Sequence, residues 1–294
     1  MAAEAGSRTG GLVVAAHGRR YTVSLDSGER LDCLTRGKRS EAACGDRVRV
    51  SMVAADQGVI EAVETRGTVF RRSDAWREKV IAANVTQVVV VVAASPSWHE
   101  GLLNRCLVAA EHAGVPVLVV LNKTDLPQAA AALDTLRPYT RLGYAVVPLC
   151  ARVSVAPLLP HLAAHTSLLV GQSGMGKSTL VNALFPDAGA ATGEISRALD
   201  SGRHTTTHAT LYEGADRMRV IDSPGLQTFG LRHVPAAELD AAFPEFRPLI
   251  GRCRYANCRH LAEPGCAVEA ALGHGLVAAP RVAAYRDMAA EAAR

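Results

Sequence analysis

The sequence pattern with the clearest chemistry is GQSGMGKST at positions 171 to 179, which fits the phosphate-loop motif Gly-x-x-x-x-Gly-Lys-Ser/Thr. It follows a predicted strand and opens a predicted helix, so backbone N–H groups and the helix N-terminus can face phosphate oxygens. Lys177 would reach the β- and γ-phosphates, and Ser178 would ligate Mg²⁺. The predicted nucleotide contacts here are Gly171, Gln172, Ser173, Gly174, Met175, Gly176, Lys177, Ser178 and Thr179.

Two downstream stretches could complete the phosphate site. In VIDSPG, a strand would deliver Asp222 to the Mg²⁺ side, and Gly225 could offer its N–H to the γ-phosphate. Asp-x-x-Gly alone also describes an ordinary turn, but its position after a strand and a phosphate loop favours nucleotide binding. Within GRHTTTHATLY, Thr206 is the candidate for a hydroxyl ligand to Mg²⁺. The alternative is a β-prone threonine run that starts the strand at Ala209.

The tetrapeptide NKTD is a candidate for base recognition. Asp125 can accept hydrogen bonds from the ring N–H and the exocyclic amine of guanine, Lys123 can lie along the base, and Asn122 can brace the loop. A turn with Asp125 capping the next helix is the alternative. Beside a phosphate loop the pattern favours guanine over adenine, so an ATP-dependent enzyme is the less favoured reading.

Hydrolysis requires a water molecule in line with the γ-phosphate. Many guanosine triphosphatases use Gln after the Asp-x-x-Gly glycine, but Leu226 stands there and cannot orient water. His204, beside the threonine run, is the catalytic candidate, and a solvent-exposed loop imidazole is the alternative. Gln227 is a weaker candidate, one residue out of place.

Three of the seven cysteines cluster near the C-terminal end as CRYANCRHLAEPGC. Cys253, Cys258, His260 and Cys266 offer three thiolates and one imidazole, the donor set of a closed structural Zn²⁺ site. Chance clustering is the alternative. The neighbouring Arg252, Arg254, Arg259 and Tyr255 suit contact with RNA, although a solvated charged face explains them nearly as well.

The composition bounds the class of protein. The chain has 294 residues, 49% hydrophobic and 20% charged, with a net charge of +4, which suits a globular protein of two or three domains. The apolar runs are shorter than the roughly 20 residues of a membrane helix. With no secretory pattern at the start, we expect a cytoplasmic protein with no membrane contact.

The elements that must position these motifs fall into three domains. Residues 11–67, after a flexible tail at 1–10, alternate short apolar runs with turn signals, as in a small antiparallel barrel or sandwich. Residues 68–235 alternate buried strands with helices, as in a doubly wound α/β domain. Residues 236–294 contain helical fragments around the cysteine cluster.

The order of the motifs is unusual, because the guanine loop precedes the phosphate loop. If all of these loops lie at the carboxyl ends of parallel strands, a circular permutation keeps them at one sheet edge. The permutation also leads the segment LQTFGLRHVP from Asp-x-x-Gly directly into the zinc domain. A nucleotide-dependent shift could therefore be passed to that domain.

The permuted motifs resemble the bacterial small-ribosomal-subunit-dependent GTPases of the RsgA (YjeQ) family. The blocks VIAANVTQVVVVVAASP, NKTDL, VGQSGMGKSTLVNAL, GRHTTTHATLY, VIDSPGLQTFGL and CRYANCRHLAEPGCAV carry the resemblance, which covers about residues 11 to 290. It implies an OB-fold barrel, a circularly permuted P-loop GTPase domain and a mostly helical zinc-binding domain. It also implies GTP and GDP as ligands with Mg²⁺, one structural Zn²⁺, and the small ribosomal subunit with its rRNA as partner. We expect a monomer.

In this family the subunit stimulates hydrolysis, and His204 stands at the position assigned the catalytic role. Two departures from the family pattern are visible. Thr86 replaces an expected Asp, and Cys150-Ala151 replaces Ser-Ala. The Ala151 N–H can still meet the guanine oxygen, so only the bracing hydroxyl is in question.

Two functions follow from this resemblance. The first is a GTPase that assists late maturation of the small subunit, with hydrolysis driving its release. The second is a GTP-switched RNA-binding module in which hydrolysis is incidental.

Overall fold

The N-terminal part of the chain forms a closed five-stranded barrel. The computed structural model describes residues 8–36, 42–73, 78–188, 209–223, 231 and 234–292. The barrel strands are β1 (Arg8–His17), β2 (Arg20–Leu25), β3 (Arg30–Thr35), β4 (Arg47–Met52) and β5 (Gln57–Val63). They pair in the order β1-β2-β3-β5-β4, and β4 returns to β1, which closes the barrel. Alternate residues point inward and bury Val13, Val23 and Ile60, so the predicted OB-like barrel is confirmed.

The first strand begins earlier than the sequence suggested. Residues 8 to 10 were expected to belong to a flexible tail, but Arg8 and Thr9 pair with Ser51 and Val50 of β4. The pairing with β4 closes the barrel, and such a long-range partner leaves no local signal in a Gly-rich stretch. Residues 1–7 lie outside the described part of the chain.

The central region is a parallel sheet with helices on both faces. Its strands are β8 (Gln87–Ala93), β9 (Val117–Asn122), β10 (Ala145–Pro148), β11 (Thr166–Val170) and β13 (Arg219–Asp222), in the order β10-β9-β8-β11-β13. Its helices are α1 (Glu100–His112), α2 (Ala129–Arg141), α3 (Leu159–Leu162) and α4 (Lys177–Leu184). Every residue of β8 is buried because successive valines pack against opposite faces of the sheet.

The barrel and the central sheet share one hydrogen-bonded sheet. Strand β12 (Ala209–Glu213) runs antiparallel to β13 and also pairs with β1, at Ala15↔Thr210 and Ala16↔Ala209. A separate hairpin, β6 (Val69–Ser73) and β7 (Glu78–Ala83), follows the barrel. The barrel therefore joins the central sheet through backbone hydrogen bonds.

The C-terminal region has no strand among its described residues, as the sequence predicted. A 3₁₀ turn at Arg247–Leu249 precedes the cysteine cluster, and α5 (Ala267–Gly273) and α6 (Ala279–Ala292) follow it. Phe243, Phe246 and Tyr285 form an aromatic cluster with centroid separations of 5.1 to 5.4 Å. Within the described ranges, no helix is long and apolar enough to cross a membrane.

Gly45 lies where the barrel meets the segment that precedes β8. A substitution of Gly45 therefore tests this contact. Its φ is +91°, and a Cβ there would lie 2.2 Å from the Ala83 carbonyl oxygen. Gly18 also has a positive φ, +67°, but nothing within 4 Å of the Cβ position. We expect Gly18→Ala to destabilise the protein by about 1 kcal/mol and Gly45→Ala by about 3 kcal/mol, because steric overlap adds to backbone strain. Equal shifts of the urea midpoint in the two variants would contradict this account.

Candidate functional site

The predicted nucleotide loops meet at one edge of the central sheet. The carboxyl ends of β9, β8, β11 and β13 lie side by side, because Val92 of β8 pairs with Leu121, Val90 of β8 with Val170, and Leu169 with Asp222. Not all the loops follow parallel strands, however. The threonine run precedes β12, which is antiparallel, but Thr210 pairs with Asp222, so the amino end of β12 reaches the same edge.

The phosphate loop requires glycine at two close approaches. Gly171 has φ +155°, and a Cβ there would lie 2.3 Å from the Val91 carbonyl oxygen. Gly176 has φ +89° and caps α4, and its Cβ would lie 2.4 Å from Asn122 Nδ2. Any larger residue would push the loop off the strand edge or away from Asn122. Met175 is buried beneath the loop, whereas Ser173, Gly174 and Ser178 are exposed.

Lys177 folds back over the phosphate loop. Its ammonium donates to the carbonyl oxygens of Gly171 and, at 2.8 Å, of Gln172. Burial lowers the pKa of Lys177, and the nearby carboxylate of Asp222 opposes that shift. A positive charge held beside the backbone N–H groups of the phosphate loop suits a phosphate ligand.

Asp222 and Ser223 each carry an unpaired buried oxygen. Within the described part of the chain, Asp222 Oδ1 and Ser223 Oγ have no hydrogen-bond partner. Burial raises the pKa of Asp222, while the charge of Lys177 lowers it. A buried carboxylate oxygen without a donor next to a phosphate loop fits a hard cation, so the residues suit Mg²⁺.

Asn122 links the guanine loop to the phosphate loop. It is 2% exposed, and its Nδ2 donates to the Met175 carbonyl oxygen at 3.0 Å. Its Oδ1 accepts from the Lys123 N–H at 2.8 Å and from the Ala151 N–H at 3.0 Å. The bracing role predicted for Asn122 therefore has a geometric basis, while contact between Ala151 and guanine stays a prediction.

Lys123 extends between the two loops. It has a positive φ of +60°, and its ammonium donates to Ser95 O at 2.8 Å and to Gly174 O at 2.7 Å. Ser95 belongs to the segment between β8 and α1, which the sequence analysis did not connect with the site. No local pattern marks this segment, because its contacts come from distant parts of the chain.

Cys150 takes the place of the expected bracing hydroxyl. A hydrogen bond from the Cys150 side chain is the largest cause that holds the pKa of the exposed Asp125 carboxyl below its ordinary value. A backbone hydrogen bond and the charges of Arg152 and Lys123 act in the same direction. The thiol thus favours the ionised form of Asp125, the form that can accept hydrogen bonds from guanine.

Part of the predicted site lies outside the described residues. This applies to His204, Thr206 and Gly225, and also to Leu226 and Gln227. The roles assigned to them therefore stay predictions. The remaining nucleotide-site candidates are in the described ranges and lie on the loops, strand ends and first turn of α4 at this sheet edge.

The four predicted zinc ligands converge in the C-terminal region. Cys253 Sγ, Cys258 Sγ and Cys266 Sγ lie 3.5, 3.7 and 3.4 Å from His260 Nδ1, and all four donor atoms lie within 4.8 Å of one another. Tetrahedral Zn²⁺, with Zn–S and Zn–N bonds of about 2.3 and 2.0 Å, separates sulfur and nitrogen by about 3.5 Å. The geometry and donor types fit Zn²⁺.

Asp240 lies behind the zinc ligands, and no local sequence pattern marks it. His260 is 4% exposed, and its Nε2 faces Asp240 Oδ2 at 3.6 Å. A carboxylate beside the second nitrogen orients a histidine ligand. Nearby, the Arg254 guanidinium lies 5.4 Å from the centroid of the Tyr255 ring, which is 46% exposed.

Asp125 offers a direct test of base recognition. We expect Asp125→Asn to weaken GTP binding at least about tenfold, because an amide cannot accept both guanine donors. Xanthosine triphosphate, which has a carbonyl in place of the exocyclic amine, should recover part of the lost affinity. Asp134→Asn, on the exposed face of α2, is the control. Unchanged binding by Asp125→Asn in calorimetry would refute this base contact.

Metal analysis tests the zinc site. We expect one Zn²⁺ per chain, lost in Cys258→Ser but kept in Cys33→Ser, whose thiol is buried in the barrel. Chelation should unfold the C-terminal region first, because a structural metal contributes folding free energy. An intact fold and a normal melting curve in the metal-free protein would rule out a structural role.

Comparison with known proteins agrees with the geometry. A family model described as RsgA GTPase matches residues 63–232. Relatives named small ribosomal subunit biogenesis GTPase RsgA include those of Nitrosospira multiformis, 52% identical over 95% of this chain and 90% of that protein, and Burkholderia pseudomallei, 50% identical over 100% and 95%.

Solved structures give the same result. The crystal structure of YjeQ from Thermotoga maritima is 29% identical, with a TM-score of 0.75 and coverage of 97% of this chain and 99% of that one. YloQ, described as a circularly permuted GTPase, is 25% identical, with a TM-score of 0.71 and coverage of 99% and 97%. The motifs, their permuted order and the similarity along the whole chain show that this protein belongs to the RsgA GTPase family.

Proposed function

We propose that this protein is a GTPase that acts in biogenesis of the small ribosomal subunit. The observation that carries the GTPase assignment is the Asn122 bridge, which places the guanine loop beside the phosphate loop. The full-length similarity to relatives named small ribosomal subunit biogenesis GTPase supports the biological role.

The residues have separate roles in binding GTP. The Asp125 carboxylate accepts the two guanine donors, and the N–H groups of the phosphate loop and the Lys177 ammonium bind the β- and γ-phosphates. Ser178, Thr206 and Asp222 would hold Mg²⁺, which supplies positive charge to neutralise the phosphate oxygens. Cys150 and Ala151 complete the base side of the site.

Hydrolysis joins a water oxygen to the γ-phosphorus and breaks the bond to the β-phosphate oxygen, which leaves GDP and phosphate. Lys177 stabilises the charge on the leaving oxygen, and Gly225 donates its N–H to the γ-phosphate. Because Leu226 cannot orient the water molecule, His204 does so when the protein is bound to its partner. This dependence makes intrinsic turnover slow and stimulated turnover fast.

The partner is the maturing small ribosomal subunit with its rRNA, bound by the barrel and by the arginines beside the zinc site. The GTP form binds the subunit late in maturation, and hydrolysis releases the protein. We infer a cytoplasmic monomer, with the barrel at 11–67, the GTPase domain at 68–235 and the zinc domain at 236–294. A binding module with incidental hydrolysis is the less favoured alternative, since the relatives are named as GTPases.

Turnover of GTP with and without purified small subunits tests this proposal. We expect stimulation by the subunit in the wild type and a loss of about 100-fold of the stimulated rate in His204→Ala, as for removal of a side chain that orients the attacking water and accepts its hydrogen bond. His161→Ala, an exposed imidazole on α3, should behave as the wild type. No stimulation at saturating subunit would refute the catalytic proposal and leave the binding module.

A further inference from the structure

A short segment between β8 and α1 touches both nucleotide loops. Lys123 donates to the Ser95 carbonyl oxygen at 2.8 Å. The His99 N–H donates to Gln172 Oε1 of the phosphate loop at 2.9 Å. Since α1 begins at Glu100, one residue after His99, the position of this helix determines where the His99 N–H lies.

One turn further along, α1 enters a buried polar cluster. Asn104 is 1% exposed, and its Oδ1 accepts from Tyr139 OH at 3.1 Å and from Arg281 Nη1 at 2.8 Å. Burial raises the pKa of Tyr139, and its hydroxyl has a second acceptor within reach on the same helix, Glu100 Oε2 at 3.3 Å. The cluster joins α1, α2 and α6, so it connects the nucleotide-binding region to the C-terminal region.

Arg281 is the centre of this cluster. The side chains of Arg281 and Glu245 are 2% and 5% exposed. Arg281 donates to Glu245 Oε1 at 2.6 Å and to Glu245 Oε2 at 3.2 Å, and its guanidinium lies 4.5 Å from the Phe243 centroid. A guanidinium held by a carboxylate, an amide and a ring face has one orientation, which fixes its partners.

The other ion pairs between these regions are less restrictive. Arg247 with Glu111, Arg105 with Glu291 and His112 with Glu238 each include one exposed partner, with exposures of 49%, 51% and 59%. Solvent-exposed ion pairs contribute little to the stability of a contact. Apolar packing of α1 against the aromatic cluster is strong but not directional. The hydrogen bonds of Arg281 are therefore the most deeply buried directional contacts between α1 and the C-terminal region.

We propose that Arg281 is a positioning residue for nucleotide binding. It fixes α1 through Asn104, and α1 holds the phosphate loop through the hydrogen bond between His99 and Gln172. This inference rests on the proposed function. It gives the zinc-bearing region a route to the nucleotide through described residues, separate from the chain that follows Asp-x-x-Gly. By reciprocity, a contact that moves α6 changes nucleotide affinity.

The test is the dissociation rate of fluorescently labelled GDP from the full-length protein. We expect Arg281→Met to accelerate dissociation about tenfold, because coupling between such sites is typically of this size. Arg286→Met is the matched control. Arg286 lies on the same helix but pairs with Glu269 of α5, so the rate should stay within about twofold of the wild type. Zinc content and thermal melting report whether each variant folds.

Two further variants separate positioning from general destabilisation. Arg281→Lys keeps the positive charge but loses the planar guanidinium that donates to several partners at once. It should therefore accelerate dissociation less than Arg281→Met. It also carries the test if Arg281→Met does not fold. In a Gln172→Ala background, Arg281→Met should add little, because both changes break one route.

The outcomes distinguish the two proposals. A wild-type protein that fails to bind GDP refutes the proposed function. Normal GDP binding with unchanged dissociation in the folded Arg281 variants refutes the positioning role alone. Fully additive effects of Gln172→Ala and Arg281→Met would refute the route through His99.

Discussion

The amide of Asn122 joins three loops that are far apart in the chain. Its three hydrogen bonds reach Lys123 in its own loop, Ala151 in the next loop and Met175 in the phosphate loop. The bonds to Ala151 and Met175 are buried, where an unmade hydrogen bond would be costly. The permuted chain order preserves this bridge, because parallel strands still bring the three loops to one edge of the sheet.

The same edge is coupled to the rest of the molecule on two sides. On one side, β12 pairs with both β13 and β1. A single strand, β12, therefore separates β13, which ends at Asp222, from the barrel. On the other side, the N–H of His99, just before α1, donates to Gln172 of the phosphate loop. Asn104 of the same helix accepts from Arg281 in the C-terminal region. The barrel is attached by backbone pairing, and the zinc-bearing region by buried side chains.

Local motifs predicted much of the site because their chemistry is carried by neighbouring residues. The phosphate loop, NKTD and the Cys3His cluster each place their donors within fewer than fifteen positions of one another. Apolar runs predicted the strands, since burial on both faces leaves a continuous hydrophobic signal in β8 and β9. The early start of β1 and the antiparallel direction of β12 were missed, because both depend on partners that are distant in sequence.

Residue types and spacing by themselves determined the nucleotide-binding class and the permuted order, and they predicted guanine as the base and Zn²⁺ as the metal from donor and acceptor chemistry. Only the tertiary structure decided that Asp240 lies behind His260 and that Arg281 meets Asn104. Side chains separated by as many positions as Asn104 and Arg281 leave no shared pattern. Their hydrogen bond exists because the packing of α1 against α6 brings the two side chains together in a buried site.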